Sequence, residues 1–192
     1  MSDDQPQRLY RIVQGEAVSA ADFMSKAQLG IPCPTDDPQV QERWGGLSLF
    51  GSEEQAKRVA RRLPMLGAHI AALDIPPSAG LRAEPTPGPG NYPTEGDPGV
   101  GTSLAGYGAS DMPEVTFQFE VWELESRSLI ASYPDEEEAL DLVFELLSAG
   151  WPADRLVLAA ENDRFAPESL PAPLTGDTLV ARLELSDDED DE

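Results

Sequence analysis

Cysteine and histidine are almost missing from this chain of 192 residues, which has one of each, Cys33 and His69. A lone cysteine excludes an intramolecular disulfide, and the pair supplies too few ligands for a Cys/His zinc site. A Ser-His-Asp or Cys-His catalytic arrangement would have to use His69 as its base. These shortages exclude disulfide-stapled and zinc-bound domains, and we predict no metal site.

Positive charge is also scarce. The chain has 13 Lys and Arg against 36 Asp and Glu, a net charge of −23. This balance argues against nucleic acid or an anionic membrane as a partner. The sequence also has no apolar run near the roughly 18 residues of a membrane span and no signal-peptide pattern at its start. We therefore expect a cytoplasmic protein, with a folded core from its 40% hydrophobic residues.

A segment rich in glycine and proline divides the chain. In residues 85–112, glycine and proline make up 12 of 28 positions, and no Lys or Arg occurs. Such a segment favours a linker or a long loop. It separates a module over residues 1–84 from an acidic module over 113–186, followed by a disordered acidic tail at 187–192. The net charge is −5 up to residue 112 and −18 after it.

Hydrophobic periodicity predicts an α+β fold in both modules. The first module is expected to run β-α-(α)-β-α-β, where the bracketed helix is optional. Ser19 and Ser52 are the expected N-caps of its two main helices, with Gly30 and Pro32 ending the first. Its three strands are predicted at Arg8–Val13, Trp44–Phe50 and Ala68–Ile75.

The second module is expected to run β-β-α-β-β. Residues 115–124 nearly alternate between apolar and polar, which is typical of a strand with one buried face. Asp135 begins the helix, where acidic residues suit the helix N-terminus better than they suit a metal ion. The other predicted features are strands at Arg127–Tyr133, Arg155–Glu161 and Asp177–Leu185, and an apolar helix stripe of Leu140, Val143, Phe144 and Leu147.

Four of the basic residues lie within six positions of one predicted helix: Lys57, Arg58, Arg61 and Arg62. Arginine binds phosphate and carboxylate groups in a bidentate manner, so the cluster is a candidate anion-binding site. The alternative is that these cations pair with the acidic second half or keep one helix face in water.

The segments LYR, ending in Arg11, and GLSLF, containing Ser48, resemble two motifs of the ADP-ribosyltransferase-like superfamily over residues 8–84. The resemblance implies that Arg11 binds the phosphates of NAD and that Ser48 shapes the nicotinamide pocket. The catalytic glutamate of the family has no clear counterpart, and Glu84 and Glu95 are the nearest candidates in order.

Residues 117–161 resemble a hairpin-plus-helix module of bacterial, particularly actinobacterial, proteins, and this resemblance implies no activity. Two functions from different classes follow. The first is a non-catalytic interaction or regulatory protein, antitoxin-like, without a cofactor, whose acidic surface binds a basic protein partner. The alternative is an ADP-ribosyltransferase-like protein that binds NAD, active or degenerate. Solubility alone would also account for the acidity.

Overall fold

The computed structural model describes residues 6–79, 117–162 and 164–187. The predicted linker at 85–112, Glu84, Glu95 and the tail after Asp187 lie outside these ranges. The helices and strands, in chain order, are β1 (Gln7–Val13), α1 (Pro38–Trp44), α2 (Glu53–Arg62), β2 (His69–Ile75), β3 (Gln118–Glu123), β4 (Ser128–Tyr133), α3 (Glu136–Ser148), β5 (Leu156–Glu161), β6 (Leu174–Thr175) and α4 (Asp177–Asp187). The fold contains both helices and strands, as the α+β prediction requires. None of the described helices is long and apolar enough to cross a membrane.

β1 and β2 form an antiparallel pair that runs from Gln7 opposite Ile75 to Val13 opposite His69. The chain enters β2 through Gly67, whose φ of 139° lies in the region that side chains rarely adopt. A Cβ atom at this position would collide with the carbonyl group of Val13. Glycine at position 67 therefore lets the chain pass directly beneath the end of β1.

The second half of the chain supplies a four-stranded antiparallel sheet in the order β4-β3-β5-β6. The register of β3 against β4 shifts between Val121 and Trp122, which marks a bulge. In β3, Val121 faces one side of the sheet and Trp122 the other, and β5 presents Leu158 and Val157 in the same alternation.

Both faces of this sheet are covered, whereas the sequence predicted one buried face. One cluster joins the sheet to α1, α3 and α4 through residues such as Trp44, Leu146 and Leu179. The other joins the opposite face to the first half of the chain, where Ile12 and Leu63 contact residues of β3 and β5. Glu120 and Glu161 occupy polar positions of the strand pattern, but both are buried. Two arginines of α2 lie on this side of the sheet, where Arg58 pairs with Glu161 and Arg62 donates to the carbonyl oxygen of Ala160.

Two predictions for the first half are wrong. The helix expected after Ser19 is a single 3-10 turn, Ala20–Phe23, and the chain is extended at Met24. Asp22 accepts hydrogen bonds from both the backbone and the hydroxyl of Ser19, at 2.9 Å each, which closes the turn locally. The expected strand Trp44–Phe50 is reduced to one bridge, between Phe50 and Tyr10. The glycine pair after Trp44 favours this departure from regular structure.

The last predicted strand is also wrong, because Asp177–Asp187 is helix α4. Alternation of Leu179, Ala181, Leu183 and Leu185 suggested a strand, but the same residues place Leu179 and Leu183 four positions apart. Leu179 is fully buried and Leu183 packs against the same cluster, while Leu185 is exposed. This segment forms a helix because Leu179 and Leu183, four positions apart, pack on the same side, and because most of its residues favour a helix.

The helices predicted after Ser52 and Asp135 are confirmed as α2 and α3. The Ser52 hydroxyl accepts a hydrogen bond from the backbone of Gln55, and the Asp135 carboxylate accepts one from Glu137 at 2.8 Å. Gly150 has a φ of 89° just after α3, a conformation that glycine adopts readily at the C-terminal end of a helix.

Asp135→Ala is expected to lower the free energy of unfolding by about 1 kcal/mol, because the first turn of α3 loses its side-chain cap. Urea denaturation followed by circular dichroism measures the change. Asp135→Asn is the matched control, since asparagine caps a helix equally well. Equal losses in the two variants would contradict a capping role for Asp135.

Candidate functional site

Arg11 lies on β1 and is 1% exposed. Its Nε, Nη1 and Nη2 atoms donate to the backbone carbonyl oxygens of Asp22, Ser48 and Ser126, the last two at 2.9 and 2.7 Å. Burial, and then the charge of Arg127, lower the pKa of Arg11 to about 10, so the side chain stays charged at neutral pH. Arg11 therefore joins three loops of the chain.

Ser48 meets Arg11, as the resemblance to ADP-ribosyltransferases requires, but through its backbone. The Ser48 hydroxyl oxygen accepts a hydrogen bond from the backbone N–H of Leu129 in β4, at 2.8 Å. Arg11 and Ser48, the two residues predicted to bind a cofactor, thus both form hydrogen bonds with the protein's own backbone. These contacts connect separate segments of the chain and have a structural role. NAD binding stays a prediction from the sequence.

The four cations of α2 do not converge on one point. Lys57 pairs with Glu53 and Glu54 of its own helix. Arg58 pairs with Glu161 at 2.6 Å and also donates to the carbonyl oxygens of Asn162 and Phe165. The remaining two differ in exposure: Arg62 is buried and donates to Ala160 and Pro171, whereas Arg61 is exposed. Two of the four cations, Arg58 and Arg62, therefore hold the second half, and Arg61 is exposed on the helix surface, as the alternative to anion binding expected.

Lys26 is a further buried cation, 2% exposed, and its Nζ lies 4.9 Å from the centre of the Trp44 ring. Burial lowers the pKa of Lys26 to about 8. The Trp44 ring in turn contacts Trp151 edge-on, with 5.4 Å between the ring centres. A lysine as buried as Lys26 is not accessible to a substrate, so its contact with the Trp44 ring is structural.

A groove of about 1140 Å³ lies between the loop Pro34–Pro38 and the solvent face of α3. Ser132, Tyr133 and Pro134, at the end of β4, line it between these two walls. The Thr35 hydroxyl donates to the Glu145 carboxylate at 2.6 Å, from one wall to the other. The Tyr133 hydroxyl donates to Asp37 at 3.2 Å. These contacts fix the loop against the sheet and the helix.

The groove is lined by acidic side chains. Among the residues that the structure describes, the lining contains no Lys, Arg or His, and its five carboxylates are Asp36, Asp37, Glu138, Asp141 and Glu145. Burial and the nearby Asp37 raise the pKa of Tyr133 well above its usual range, so the phenol remains a donor. Within the described ranges, no three His, Cys, Asp or Glu side chains are grouped to hold a metal ion. The negative charge is spread along the groove.

Phe144 lies in this groove and is 58% exposed. The sequence placed it in the apolar stripe of α3, beside Leu140 and Val143, and that prediction is wrong. The buried face of α3 consists of Ala139, Leu140, Leu142, Val143 and Leu146, which turns position 144 toward solvent. Sequence analysis missed Phe144 and the whole groove. The available signal was Phe144 between Asp141 and Glu145, one turn of helix with an aromatic and two carboxylates.

Comparison of the chain with protein-family models, curated proteins and solved structures finds no match. Among the sites that the sequence proposed, Arg11, Ser48 and three of the four α2 cations act within the protein. The groove between the Pro34–Pro38 loop and α3 is the open site.

Proposed function

We propose that the protein is a non-catalytic interaction protein that binds a basic segment of a partner in the groove between the Pro34–Pro38 loop and α3. One observation carries the proposal: in the described part of the chain, five carboxylates and no cation line an open groove of about 1140 Å³. A regulatory, antitoxin-like role and a cytoplasmic location are compatible with this binding and stay predictions.

The arrangement of the carboxylates supports binding rather than solubility alone. Among the described residues, Asp36, Glu138 and Asp141 have no ion-pair partner, and all three are exposed. Solubility requires charge that is distributed over the surface, whereas the groove concentrates charge of one sign between two walls. Such a field attracts a cationic partner and makes the association rate depend on salt.

The test is the affinity of a fluorescent peptide of alternating arginine and serine, measured by anisotropy at low salt. Glu138→Gln combined with Asp141→Asn removes two unpaired charges from the groove. We expect this double variant to weaken binding by roughly three- to tenfold, as two exposed ion pairs allow. Added salt should weaken binding to the unaltered protein.

The matched control is Asp154→Asn combined with Glu168→Gln. Both residues are exposed, lie outside the groove and form no ion pair within the described part of the chain. The two double variants change the net charge equally and replace the same residue types. An equal effect of both, or no binding to the unaltered protein, would contradict a role for the groove.

A further inference from the structure

We propose that the groove selects arginine over lysine, because an arginine of the partner lies on the ring of Phe144 and pairs with the neighbouring carboxylates. This inference rests on the proposed function and names its partner chemistry: an extended segment that carries arginine. Three points support this inference: Phe144 is exposed, acidic residues lie beside it, and arginine and lysine differ in how they interact with a ring and a carboxylate.

Phe144 is an exposed aromatic in a position that the fold does not require. The hydrophobic face of α3 is complete without it, and the residue is 58% exposed where it lines the groove. A single exposed apolar side chain is ordinary on a protein surface, but Phe144 stands among carboxylates inside a groove and offers a partner a ring face of the kind enriched in interfaces. Phe144 is therefore the expected anchor of the groove.

Acidic side chains surround Phe144 on the same helix. Asp141 lies three positions before it and Glu145 one position after it, and both line the groove. Residues three apart on a helix are neighbours on its surface. A cation placed over the ring of Phe144 is thereby within reach of the Asp141 carboxylate.

Arginine suits this combination better than lysine. Its planar guanidinium stacks on an aromatic ring and, at the same time, donates in its plane to a carboxylate. The lysine ammonium is compact and strongly hydrated, and it loses more hydration when it approaches a ring. Cation–π contacts at exposed sites also favour arginine.

A second copy of the chain is a poor occupant. Each copy carries a net charge of −23, so two copies repel one another. In addition, Arg58 and Arg62 of the cationic helix are already engaged with the second half of their own chain. A separate basic segment is the occupant that the charge of the groove favours.

The experiment compares two peptides of equal length and charge, one alternating arginine with serine and the other lysine with serine. We expect the unaltered protein to bind the arginine peptide about two- to fivefold more tightly. Phe144→Ala should remove most of this preference and leave the affinity for the lysine peptide nearly unchanged. Phe144→Leu, which keeps an apolar surface but no ring face, should behave like Phe144→Ala.

Phe165→Ala is the matched control, because Phe165 is also an exposed phenylalanine and does not line the groove. It should keep the arginine preference. Equal binding of both peptides, or full preference in Phe144→Leu or Phe144→Ala, overturns the arginine inference. If the Glu138→Gln, Asp141→Asn variant still loses affinity in that case, the proposed function stands. If neither peptide binds the unaltered protein, both proposals fail.

Discussion

Arg11→Ala is expected to lower the free energy of unfolding by about 3 to 5 kcal/mol, which is the largest effect of any single substitution considered. The guanidinium donates to three backbone carbonyl oxygens, of Asp22, Ser48 and Ser126. Alanine removes the donor from the buried carbonyl of Ser126 and from the part-buried carbonyls of Asp22 and Ser48, and each unsatisfied buried group costs about 1 to 3 kcal/mol. The truncation also leaves a cavity in a fully packed region.

Urea denaturation of Arg11→Ala measures this loss, and Arg8→Ala is its control on the same strand. Arg8 pairs with Asp74 across the β1–β2 ladder, but both side chains are more than half exposed. A pair in water contributes little, so Arg8→Ala should be much milder. A loss in Arg11→Ala no larger than in Arg8→Ala would contradict the structural role of Arg11.

The role of Arg11 also changes how the NAD hypothesis is tested. Loss of NAD binding in Arg11→Ala would reflect the disturbed fold as readily as a lost ligand contact. Calorimetric titration of the unaltered protein with NAD is the informative measurement. Saturable binding would support the resemblance to ADP-ribosyltransferases, and a folded protein that releases no heat of binding would contradict it.

Glu120→Gln is expected to raise the free energy of unfolding by about 3 kcal/mol at pH 8 and to change it little near pH 4. Burial raises the pKa of Glu120 from 4.5 to about 7. Each unit of pKa corresponds to about 1.4 kcal/mol. Glutamine keeps an oxygen for the Trp122 Nε1 donor, which lies 2.9 Å from the carboxylate of Glu120.

The direction of the pH dependence follows from the number of protons that the folded and unfolded states bind. Between pH 4.5 and 7 the unfolded chain releases the proton of Glu120 while the folded protein retains it, so stability falls as pH rises. Above pH 7 the difference between Glu120→Gln and the unaltered protein reaches a plateau. Urea denaturation at several pH values from 4 to 8 measures the curve. A constant difference across this range would contradict the raised pKa.

Glu123→Gln is the control with the opposite sign. Burial alone would raise the pKa of Glu123, but hydrogen bonds from Ser126, from the backbone of Glu125 and from Arg155 together hold it below its usual value. The ionised form is favoured in the folded state, and its contribution is lost as the pH falls through the folded pKa. Glu123→Gln should therefore destabilise the protein near neutral pH.

Local signals in the sequence predicted the helices that have strong caps. Ser52 and Asp135 begin α2 and α3 through hydrogen bonds between residues two or three positions apart, so the sequence contains everything that they need. Strands β1, β2 and β5 were likewise predicted within one or two residues of their observed ends.

Contacts between distant parts of the chain decided what the sequence did not reveal. From the sequence alone, the polar positions of β3 and β5 look exposed, whereas in the fold α2 lies against them. Arg58 of α2 binds Glu161, which is 103 positions away in the sequence. Phe144 fits the apolar stripe of α3 until packing selects the other residues of the helix as its buried face. The groove itself requires the Pro34–Pro38 loop to approach α3, and periodicity contains no information on that approach.

The hydroxyl of Ser48 also affects how the edge of the sheet can associate with other chains. In the described sheet β4 is an outer strand, and outer strands offer free backbone groups on which other chains can assemble into aggregates. The Leu129 N–H is instead occupied by the Ser48 hydroxyl. The segment that resembles a cofactor motif therefore covers one backbone donor on this edge of the sheet, which removes one of the hydrogen bonds that a strand of another molecule needs for edge-to-edge pairing.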